Sequence, residues 1–289
     1  MLLSDFISEG SRALECIYPS EEARSLVLRL CEDSLGVRSY THIMEPLTEI
    51  DPSRLPGLQS ALSRLRSGEP LQYVQGYADF CGLRFNVTLD VLIPRPETED
   101  LVLSALERIS ALGRPARVLD LCTGSGCIAW AVAALSPGTE VVAVDISPAA
   151  LEVARSQSVD VRGIVPPRFV EADVLSAEQD FDFGFFDVVL SNPPYIMESE
   201  KCAMRRNVLE HEPSLALFVP DNDPLRFYRS VARWSGRCLK PGGWGMVEIN
   251  ETLGTPTAAV FEEAGFAQVL QKADFFGKIR FVSFEKSAL

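Results

Sequence analysis

The sequence predicts an α/β protein whose larger part is a doubly wound, mainly parallel sheet, preceded by a small bundle of helices. Two observations support this fold class. Beyond residue 116, short runs of aliphatic and β-branched residues alternate with helical stretches, which is typical of parallel strands joined by crossover helices. Before residue 72, leucines recur at helical spacing and are interrupted by Pro46, Pro52 and Pro56, which favours several short helices.

Each element has its own pattern in the chain. The strands predicted for the sheet are residues 117–121, 141–144, 168–170, 187–191, 244–249 and 279–284. The helices predicted between them are residues 126–134, 148–157, 224–238 and 256–264. Alternation over residues 72–87, with a turn at Cys81-Gly82, predicts a β-hairpin. A further helix is expected to start near Pro96, because acidic residues follow at its positive end.

Composition describes a folded protein with an acidic surface. The 289 residues are 47% hydrophobic and 23% charged, which is enough apolar material for a sizeable core. The formal net charge is −13, whereas general binding to phosphate backbones needs a basic surface. No stretch approaches about 18 continuous apolar residues, the length that spans a bilayer. We therefore expect no direct contact with nucleic acid and none with a membrane.

The cysteines and the N-terminus predict where the protein resides. Seven cysteines form no C-x-x-C pair, and two histidines are too few to complete a zinc-ligand spacing. The first residues have neither the basic region nor the apolar segment of a signal peptide. We therefore expect free thiols, no metal site and a cytoplasmic location, and we expect a monomer.

A rare tetrapeptide, Asn192-Pro193-Pro194-Tyr195, follows the fourth predicted strand. Two prolines fix φ and lack N–H donors, so the carbonyls of this stiff corner project outward. A planar amide or aryl amino group can donate its hydrogens to the Asn192 oxygen and the Pro193 carbonyl, while the Tyr195 ring covers its face. The alternative is a rigid strand-to-loop corner without chemistry.

A glycine-containing loop follows the first predicted strand. Asp120 precedes residues 122–126, in which Gly124 and Gly126 let the backbone pass close to a ligand. A dinucleotide site prefers G-x-G-x-x-G, but the third glycine position is Ala129. The acidic start of the loop instead resembles the loop that binds S-adenosyl-L-methionine.

Carboxylates also follow the second and third predicted strands. Asp145 is placed for two ribose hydroxyls at the carboxyl edge of the sheet, and Asp173 for an adenine amino group. Taken singly, each acid is equally well explained as a helix N-cap or a solvated loop residue. Their order after successive strands favours a common binding site.

Together, Asp120-x-x-x-Gly124-x-Gly126, Asp145, Asp173 and the Asn-Pro-Pro-Tyr corner resemble class I S-adenosylmethionine-dependent methyltransferases that modify exocyclic or amide nitrogen. Residues 92–99, Leu-Ile-Pro-Arg-Pro-Glu-Thr-Glu, and residues 212–217, Glu-Pro-Ser-Leu-Ala-Leu, narrow this further. With them the chain is similar, over nearly its full length, to the peptide chain release factor N5-glutamine methyltransferase family. The resemblance implies a Rossmann-like fold divided into a helical substrate-recognition domain (1–71), a β-hairpin linker (72–90) and a methyltransferase domain (91–289).

The resemblance also implies an activity, which is methylation of the glutamine in the Gly-Gly-Gln motif of class 1 release factors during translation termination. The residues expected to bind the cofactor are Cys122, Thr123, Gly124, Ser125, Gly126, Asp145, Asp173, Val174 and Asn192. Those expected to bind the substrate glutamine are Asn192, Pro193, Pro194 and Tyr195, of which Asn192, Pro193 and Tyr195 are expected to be catalytic. The family usually has glycine where this chain has Cys122, and often an aromatic residue where it has Val174.

Three other functions stay open. An adenine-N6 nucleic-acid methyltransferase can use the same corner for a flipped base, but the net charge of −13 argues against it. A non-catalytic module that binds release factors is disfavoured by the intact Asn192 and glycine loop. A dinucleotide-dependent oxidoreductase is disfavoured by the missing third glycine.

Other charged residues receive weaker assignments. We expect Arg95 either to line the pocket or to pair with Glu97 or Glu99. Glu248 follows a strand but receives no role, because carboxylates are common at sheet edges. No residue is assigned as a general base.

Overall fold

The computed structural model describes residues 1–176, 183–274 and 276–288, and the chain forms two compact units. One unit is Met1–Tyr77 with Arg205–His211, and the other is Ala78–Met204 with Glu212–Leu289. The predicted functional division at residues 71 and 90 stays a prediction. Within the predicted methyltransferase domain, residues 177–182, 275 and 289 lie outside the described part.

The smaller unit is helical, as predicted. Its helices are α1 (Leu3–Leu14), α2 (Ser20–Leu35), α3 (Thr41–Met44), α4 (Leu55–Arg66), α5 (Leu71–Gln75) and, later in the chain, α9 (Arg206–His211). Apolar side chains from α1, α2 and α4 fill its core, among them Phe6, Leu14, Val27, Leu58 and Leu65, each at most 3% exposed. The unit is thus a small bundle with a core of its own.

The expectation of a strand over residues 72–75 is wrong, because this segment is the helix α5. Pro70 stands at its N-cap, and Gly76 ends it with φ +82° and an N–H that donates to Gln72 O over 2.7 Å. A proline start and a left-handed glycine stop are strong local helix signals. Here they outweigh the alternation of apolar residues.

The hairpin is shorter than predicted, with β1 (Tyr77–Phe80) and β2 (Leu83–Asn86). Its turn holds Cys81 and Gly82 at φ +50° and +72°, as the Cys-Gly pair suggests. Phe80 and Phe85 are at most 1% exposed, within the core on one face of the large sheet.

The larger unit is built on a seven-stranded sheet. Its strands are β3 (Arg117–Leu121), β4 (Glu140–Asp145), β5 (Arg168–Glu171), β6 (Phe186–Ser191), β9 (Leu239–Glu248), β10 (Ala267–Ala273) and β11 (Ile279–Glu285). The order is β10-β11-β9-β6-β3-β4-β5. The five strands from β9 to β5 are parallel, while β11 and β10 join antiparallel at one end. A separate parallel pair is formed by β7 (Ile196–Met197) and β8 (Phe218–Val219).

Helices cover both faces of this sheet. They are α6 (Glu99–Ala111), which follows a 3₁₀ turn at Pro96–Thr98, and α7 (Cys127–Leu135), α8 (Pro148–Arg155), α11 (Arg226–Cys238) and α12 (Gly254–Glu263). The short helix α10 (Ser214–Leu217) immediately precedes β8. Neighbouring residues of β3 point to opposite faces, as strand geometry requires: Val118 belongs to one core cluster with Trp130, and Leu119 belongs to another with Tyr228 and Phe261. The predicted doubly wound α/β fold is confirmed.

The connections create a switch point at the middle of the sheet. From β3 the chain proceeds outward through β4 to β5, and it then returns to place β6 on the other side of β3. In sheets of this kind, ligands bind outside the carboxyl ends of the strands at such a reversal. The glycine loop after β3 and the Asn-Pro-Pro-Tyr corner after β6 meet there. Among the described residues, no helix combines the length and apolarity needed to cross a membrane.

Candidate active site

The loop after β3 has an unusual backbone. Cys122, Gly124 and Gly126 all have positive φ, at +63°, +54° and +78°. A Cβ added to Gly126 would lie 3.0 Å from the Ala154 Cβ and 3.1 Å from the Phe169 ring, whereas one added to Gly124 would meet nothing within 4 Å. Gly126 is therefore needed for close packing of the chain, whereas the backbone at Gly124 faces open space.

Asp120 lies beneath this loop and is fully buried. The Thr123 hydroxyl donates to Asp120 Oδ2 over 2.5 Å. Burial, reinforced by the nearby charge of Asp145, raises the pKa of the Asp120 carboxyl to about 7 despite that hydrogen bond. Asp120 thus holds the loop through its hydrogen bond with Thr123.

Asp145 connects the loop to the end of β4. Its Oδ2 accepts the N–H of Gly124 over 2.8 Å, and its Oδ1 accepts the N–H of Ser147 over 2.9 Å. Burial raises the pKa of this carboxyl, and backbone hydrogen bonds from Ser147, Gly124 and Ile146 oppose the shift. Each oxygen has lone-pair capacity left for a ligand hydroxyl.

The next strand end contributes Asp173 and Val174. Asp173 Oδ1 accepts the N–H of Leu175 over 2.8 Å, a local turn that fixes the carboxylate. Val174 is 4% exposed and presents an apolar surface beside it.

A cavity of about 320 Å³ lies over these strand ends. The predicted residues that line it are Cys122, Thr123, Gly124, Ser125, Asp145, Asp173, Val174, Asn192 and Pro194. Gly126, Pro193 and Tyr195 are not among its lining residues. The cavity therefore joins the predicted cofactor residues to the predicted substrate corner in one space. Apolar walls from Val91, Leu215 and Phe227 complete it, and sequence reasoning did not identify them.

At the corner itself, Asn192 is held by a residue far away in the chain. Its Nδ2 donates to Thr98 Oγ1 over 3.2 Å, and the Thr98 hydroxyl donates to Glu248 Oε2 over 2.6 Å. Pro193 and Pro194 are buried, which makes the corner rigid.

Tyr195 bonds to the same carboxylate. Its hydroxyl donates to Glu248 Oε1 over 3.0 Å, and its ring packs against the core on one face of the sheet. Burial and the adjacent Glu248 charge raise the pKa of Tyr195 well above its usual value. The predicted role of this ring as a cover for the substrate amide stays a prediction.

Sequence reasoning missed Thr98 and undervalued Glu248. Both are almost fully buried, at 2% and 1% exposed. Burial raises the pKa of Glu248, and the hydrogen bonds from Thr98 and Tyr195 oppose this shift. The sequence signal that could have identified Glu248 is its position at the end of β9, because β9 is the neighbour of the strand β6 that precedes Asn192.

Arg95 does not form the ion pair that the sequence suggested. Its Nη2 donates to Glu212 Oε1 over 2.7 Å, and the Glu212 side chain is 1% exposed. Glu99 instead accepts the N–H of Cys81 over 2.9 Å. The expected pairing of Arg95 with Glu97 or Glu99 is therefore wrong, and the pocket alternative is confirmed because Arg95 lines the cavity.

Within the described ranges, no cluster of three or more His, Cys, Asp or Glu side chains is arranged to hold a metal ion. Both histidines, His42 and His211, belong to the smaller unit.

Comparison with known proteins agrees with this geometry. The methyltransferase small domain model matches residues 98–214, a stretch that includes the glycine loop, Asp145, Asp173 and the Asn192 corner. The fold is shared with the catalytic domain of hMettl16, solved with MAT2A 3′UTR hairpin 1, at 16% identity and a TM-score of 0.55, over 84% of this chain and 83% of that one. The fold and the site thus define a Rossmann-like class I methyltransferase.

Relatives of similar length specify the family. A release factor glutamine methyltransferase of Bacteroides thetaiotaomicron is 41% identical, over 94% of this chain and 96% of the relative. Another, from Flavobacterium psychrophilum, is 36% identical over 98% of both chains. The chain belongs to the release factor glutamine methyltransferase family.

Proposed function

We propose that the protein transfers a methyl group from S-adenosylmethionine to the side-chain amide nitrogen, N5, of the glutamine in the Gly-Gly-Gln motif of class 1 release factors. One observation supports this most strongly. The Asn192 side chain, held through its nitrogen by Thr98, lines the same cavity as Gly124 and Asp145. An amide-binding corner and a nucleoside-binding edge therefore share one space.

The residues present fit the cofactor. S-adenosylmethionine supplies an electrophilic methyl group on a cationic sulfonium. Asp145 has acceptor capacity for ribose hydroxyls, Asp173 for an adenine amino group, and Val174 gives apolar contact beside it. Gly124 faces open space, so the backbone admits a ligand at close range. Acidic residues suit a ligand that carries no phosphate.

At the other end of the cavity, the chain's own groups prepare the substrate amide. Asn192 Oδ1 and the Pro193 carbonyl accept its two hydrogens, which favours the pyramidal form of the nitrogen and frees its lone pair for bonding. The proton leaves to water after the new C–N bond has formed. Holding the reacting atoms in line contributes up to roughly 7–11 kcal/mol to lowering the barrier.

Transfer is proposed to be direct, without a covalent enzyme intermediate. Two cysteines near the loop are the obvious nucleophiles to consider, Cys122 and Cys127. Burial raises the pKa of the Cys122 thiol well above its ordinary value and that of Cys127 to about 12. Both are therefore neutral thiols at physiological pH, which are weak nucleophiles.

The partner and setting are proposed on the same basis. The names of the relatives support a release factor as the protein substrate. The helical unit is proposed to recognise that substrate, and the enzyme is proposed to act as a monomer without direct contact to nucleic acid. The seven free cysteines support a reducing, cytoplasmic setting. An adenine-N6 activity and a non-catalytic role are not favoured by the relatives.

Mass spectrometry of a class 1 release factor after incubation with the protein and S-adenosylmethionine tests the proposal. We expect one added methyl group on the Gly-Gly-Gln glutamine, and we expect Asn192→Ala to abolish it. Asn222→Ala is the matched control, because Asn222 is an exposed asparagine outside the cavity. An unmodified glutamine in the presence of demonstrable cofactor binding contradicts the proposal.

A further inference from the structure

We propose that Glu248 and Thr98 are positioning residues, which orient the Asn192 amide so that its oxygen faces the substrate nitrogen. This inference rests on the proposed function, because it assigns the polarity of the contact that holds the glutamine amide. The proposed chain runs from a buried carboxylate through one hydroxyl to the Asn192 side chain.

The hydrogen-bond chain is continuous, and its two inner members are buried. Glu248 Oε2 and Thr98 Oγ1 are 2.6 Å apart, and Thr98 Oγ1 and Asn192 Nδ2 are 3.2 Å apart. Glu248 and Thr98 are 1% and 2% exposed, so bulk water offers these atoms no alternative partner. The donor and acceptor capacities of these side chains therefore decide the direction of each hydrogen bond.

The direction of this hydrogen-bond chain follows from the number of hydrogens that each side chain can donate. A threonine hydroxyl has a single hydrogen, and Glu248 in its ionised form only accepts, from the Thr98 hydroxyl on Oε2 and from the Tyr195 hydroxyl on Oε1. The Thr98 hydrogen is therefore given to Glu248, which leaves only lone pairs on the Thr98 oxygen for Asn192. The Asn192 atom that meets these lone pairs must be the donor, Nδ2. Its oxygen, Oδ1, is then turned away from Thr98.

Tyr195 fixes the far end of the chain. Its hydroxyl donates to Glu248 Oε1 over 3.0 Å, so both carboxylate oxygens are engaged. The carboxylate cannot rotate without breaking one of these bonds. Thr98 thus meets an acceptor at a defined place, as the proposed polarity requires.

This polarity matters for a substrate amide, because its nitrogen carries two hydrogens to donate. Asn192 Oδ1 accepts one of them. A reversed Asn192 would present its own NH₂ group to the substrate NH₂ group, and two donors would face each other without an acceptor. Free rotation of the Asn192 amide would therefore lower the fraction of enzyme able to bind glutamine productively.

Substitutions at Thr98 separate polarity from packing. Thr98→Val keeps the shape but removes the hydroxyl, and Thr98→Ser keeps the hydroxyl. We expect Thr98→Val to lower kcat/KM for the release factor at least about tenfold, which corresponds to one unsatisfied buried hydrogen bond. We expect Thr98→Ser to restore most of that loss, and the affinity for S-adenosylmethionine to stay within about twofold in both variants. A merely structural role would not give this split.

Glu248→Gln is the second variant. The glutamine is nearly isosteric, but its NH₂ group is able to donate to Thr98 and reverse the whole chain. We expect a loss of kcat/KM similar to that of Thr98→Val. Wild-type kcat/KM in both Thr98→Val and Glu248→Gln would overturn the proposal.

A measurement without substrate keeps this inference separate from the proposed function. The Asn192 side-chain NH₂ resonances, assigned by their loss in Asn192→Ala, report hydrogen exchange by NMR. We expect slow exchange in the wild type and Thr98→Ser, and faster exchange in Thr98→Val. If the wild type fails to methylate a release factor, the proposed function is wrong. The NMR measurement alone then decides whether Thr98 holds the Asn192 amide. If the Asn192 NH₂ group still exchanges slowly in Thr98→Val, the proposed hydrogen-bond chain is wrong. Faster exchange in that variant supports it.

Discussion

The N–H of Gly124 donates to Asp145 Oδ2 over 2.8 Å and so connects the loop after β3 to the end of β4. The other oxygen of the same carboxylate accepts from Ser147 at the start of α8. One half-buried side chain thus orders both loops that border the cavity. Asp145 is therefore expected both to organise the cofactor site and to contact the cofactor.

Asp145→Asn is expected to weaken cofactor binding. The asparagine has the same size, but its NH₂ group must face one of the two N–H donors, Gly124 or Ser147. We expect the Kd for S-adenosylmethionine to rise by at least about tenfold, as isothermal titration calorimetry measures. Glu171→Gln, at an exposed carboxylate ending the next strand, is the control and is expected to bind like the wild type. Unchanged affinity in Asp145→Asn would argue against this role.

Two glycines in the loop predict different costs of substitution. Gly126→Ala combines φ +78° with a Cβ 3.0 Å from Ala154, whereas Gly124→Ala has φ +54° and open space. We expect Gly126→Ala to lower the free energy of unfolding by roughly 2–3 kcal/mol and Gly124→Ala by about 1 kcal/mol. Urea unfolding measures both. Equal losses in the two variants would show that packing at Gly126 is not the constraint.

Cys122 occupies a left-handed conformation at φ +63°, which glycine adopts more readily. The resemblance described above implies a glycine at this position, and a glycine adopts this backbone without the penalty of a Cβ. Comparing Cys122→Gly with Cys122→Ala removes the thiol in both and leaves only the Cβ as the difference. We expect the glycine variant to be the more stable by about 1 kcal/mol in urea unfolding. An alanine variant at least as stable as the glycine variant would refute this explanation.

Asp120 predicts a pH dependence of stability. Its pKa is raised from 3.8 to about 7 by burial, so the folded state binds the proton more tightly than the unfolded state. The stabilising contribution of Asp120 to the free energy of unfolding is fully present below the pKa of the unfolded state and is lost as the pH rises from about 4 to about 7. Its size is about 1.4 kcal/mol per unit of pKa difference between the folded and unfolded states.

Asp120→Asn removes that titration while keeping an acceptor for the Thr123 hydroxyl. Its free energy of unfolding relative to the wild type is therefore expected to increase from about pH 4 to about pH 7. Asp160→Asn, at an exposed site, serves as the control. Parallel pH curves for the wild type and Asp120→Asn would contradict the raised pKa.

Local patterns predicted the parts of the site that depend on one strand end at a time. The glycine loop, Asp145, Asp173 and the Asn192 corner each follow a strand of the sheet, and parallel strands bring their carboxyl ends to one edge. The order of strands then places these groups around one cavity without any further information from side chains.

Contacts between distant segments were not predictable in this way. Thr98 is 94 residues from Asn192 and 150 from Glu248, and Arg95 is 117 from Glu212. A single sequence does not reveal which of many polar residues meet across such separations. Glu248, for example, looked like an ordinary carboxylate at the end of a strand.

The edge strand β10 was also missed, for a different reason. Among the strands that the structure describes, it pairs with β11 alone, and most of its residues are exposed, so burial imposes little alternation on its sequence. The left-handed Gln268, at φ +49°, adds an irregularity near its start. Strands of this kind have weak sequence patterns.

Glutamine methylation is tested most directly by competition. The protein is incubated with S-adenosylmethionine carrying a deuterated methyl group, a class 1 release factor and an adenine-containing RNA hairpin, and each product is mapped by tandem mass spectrometry. We predict label on the side-chain nitrogen of the Gly-Gly-Gln glutamine and none on adenine. Label on adenine, or an unlabelled release factor despite measurable cofactor binding, would contradict it.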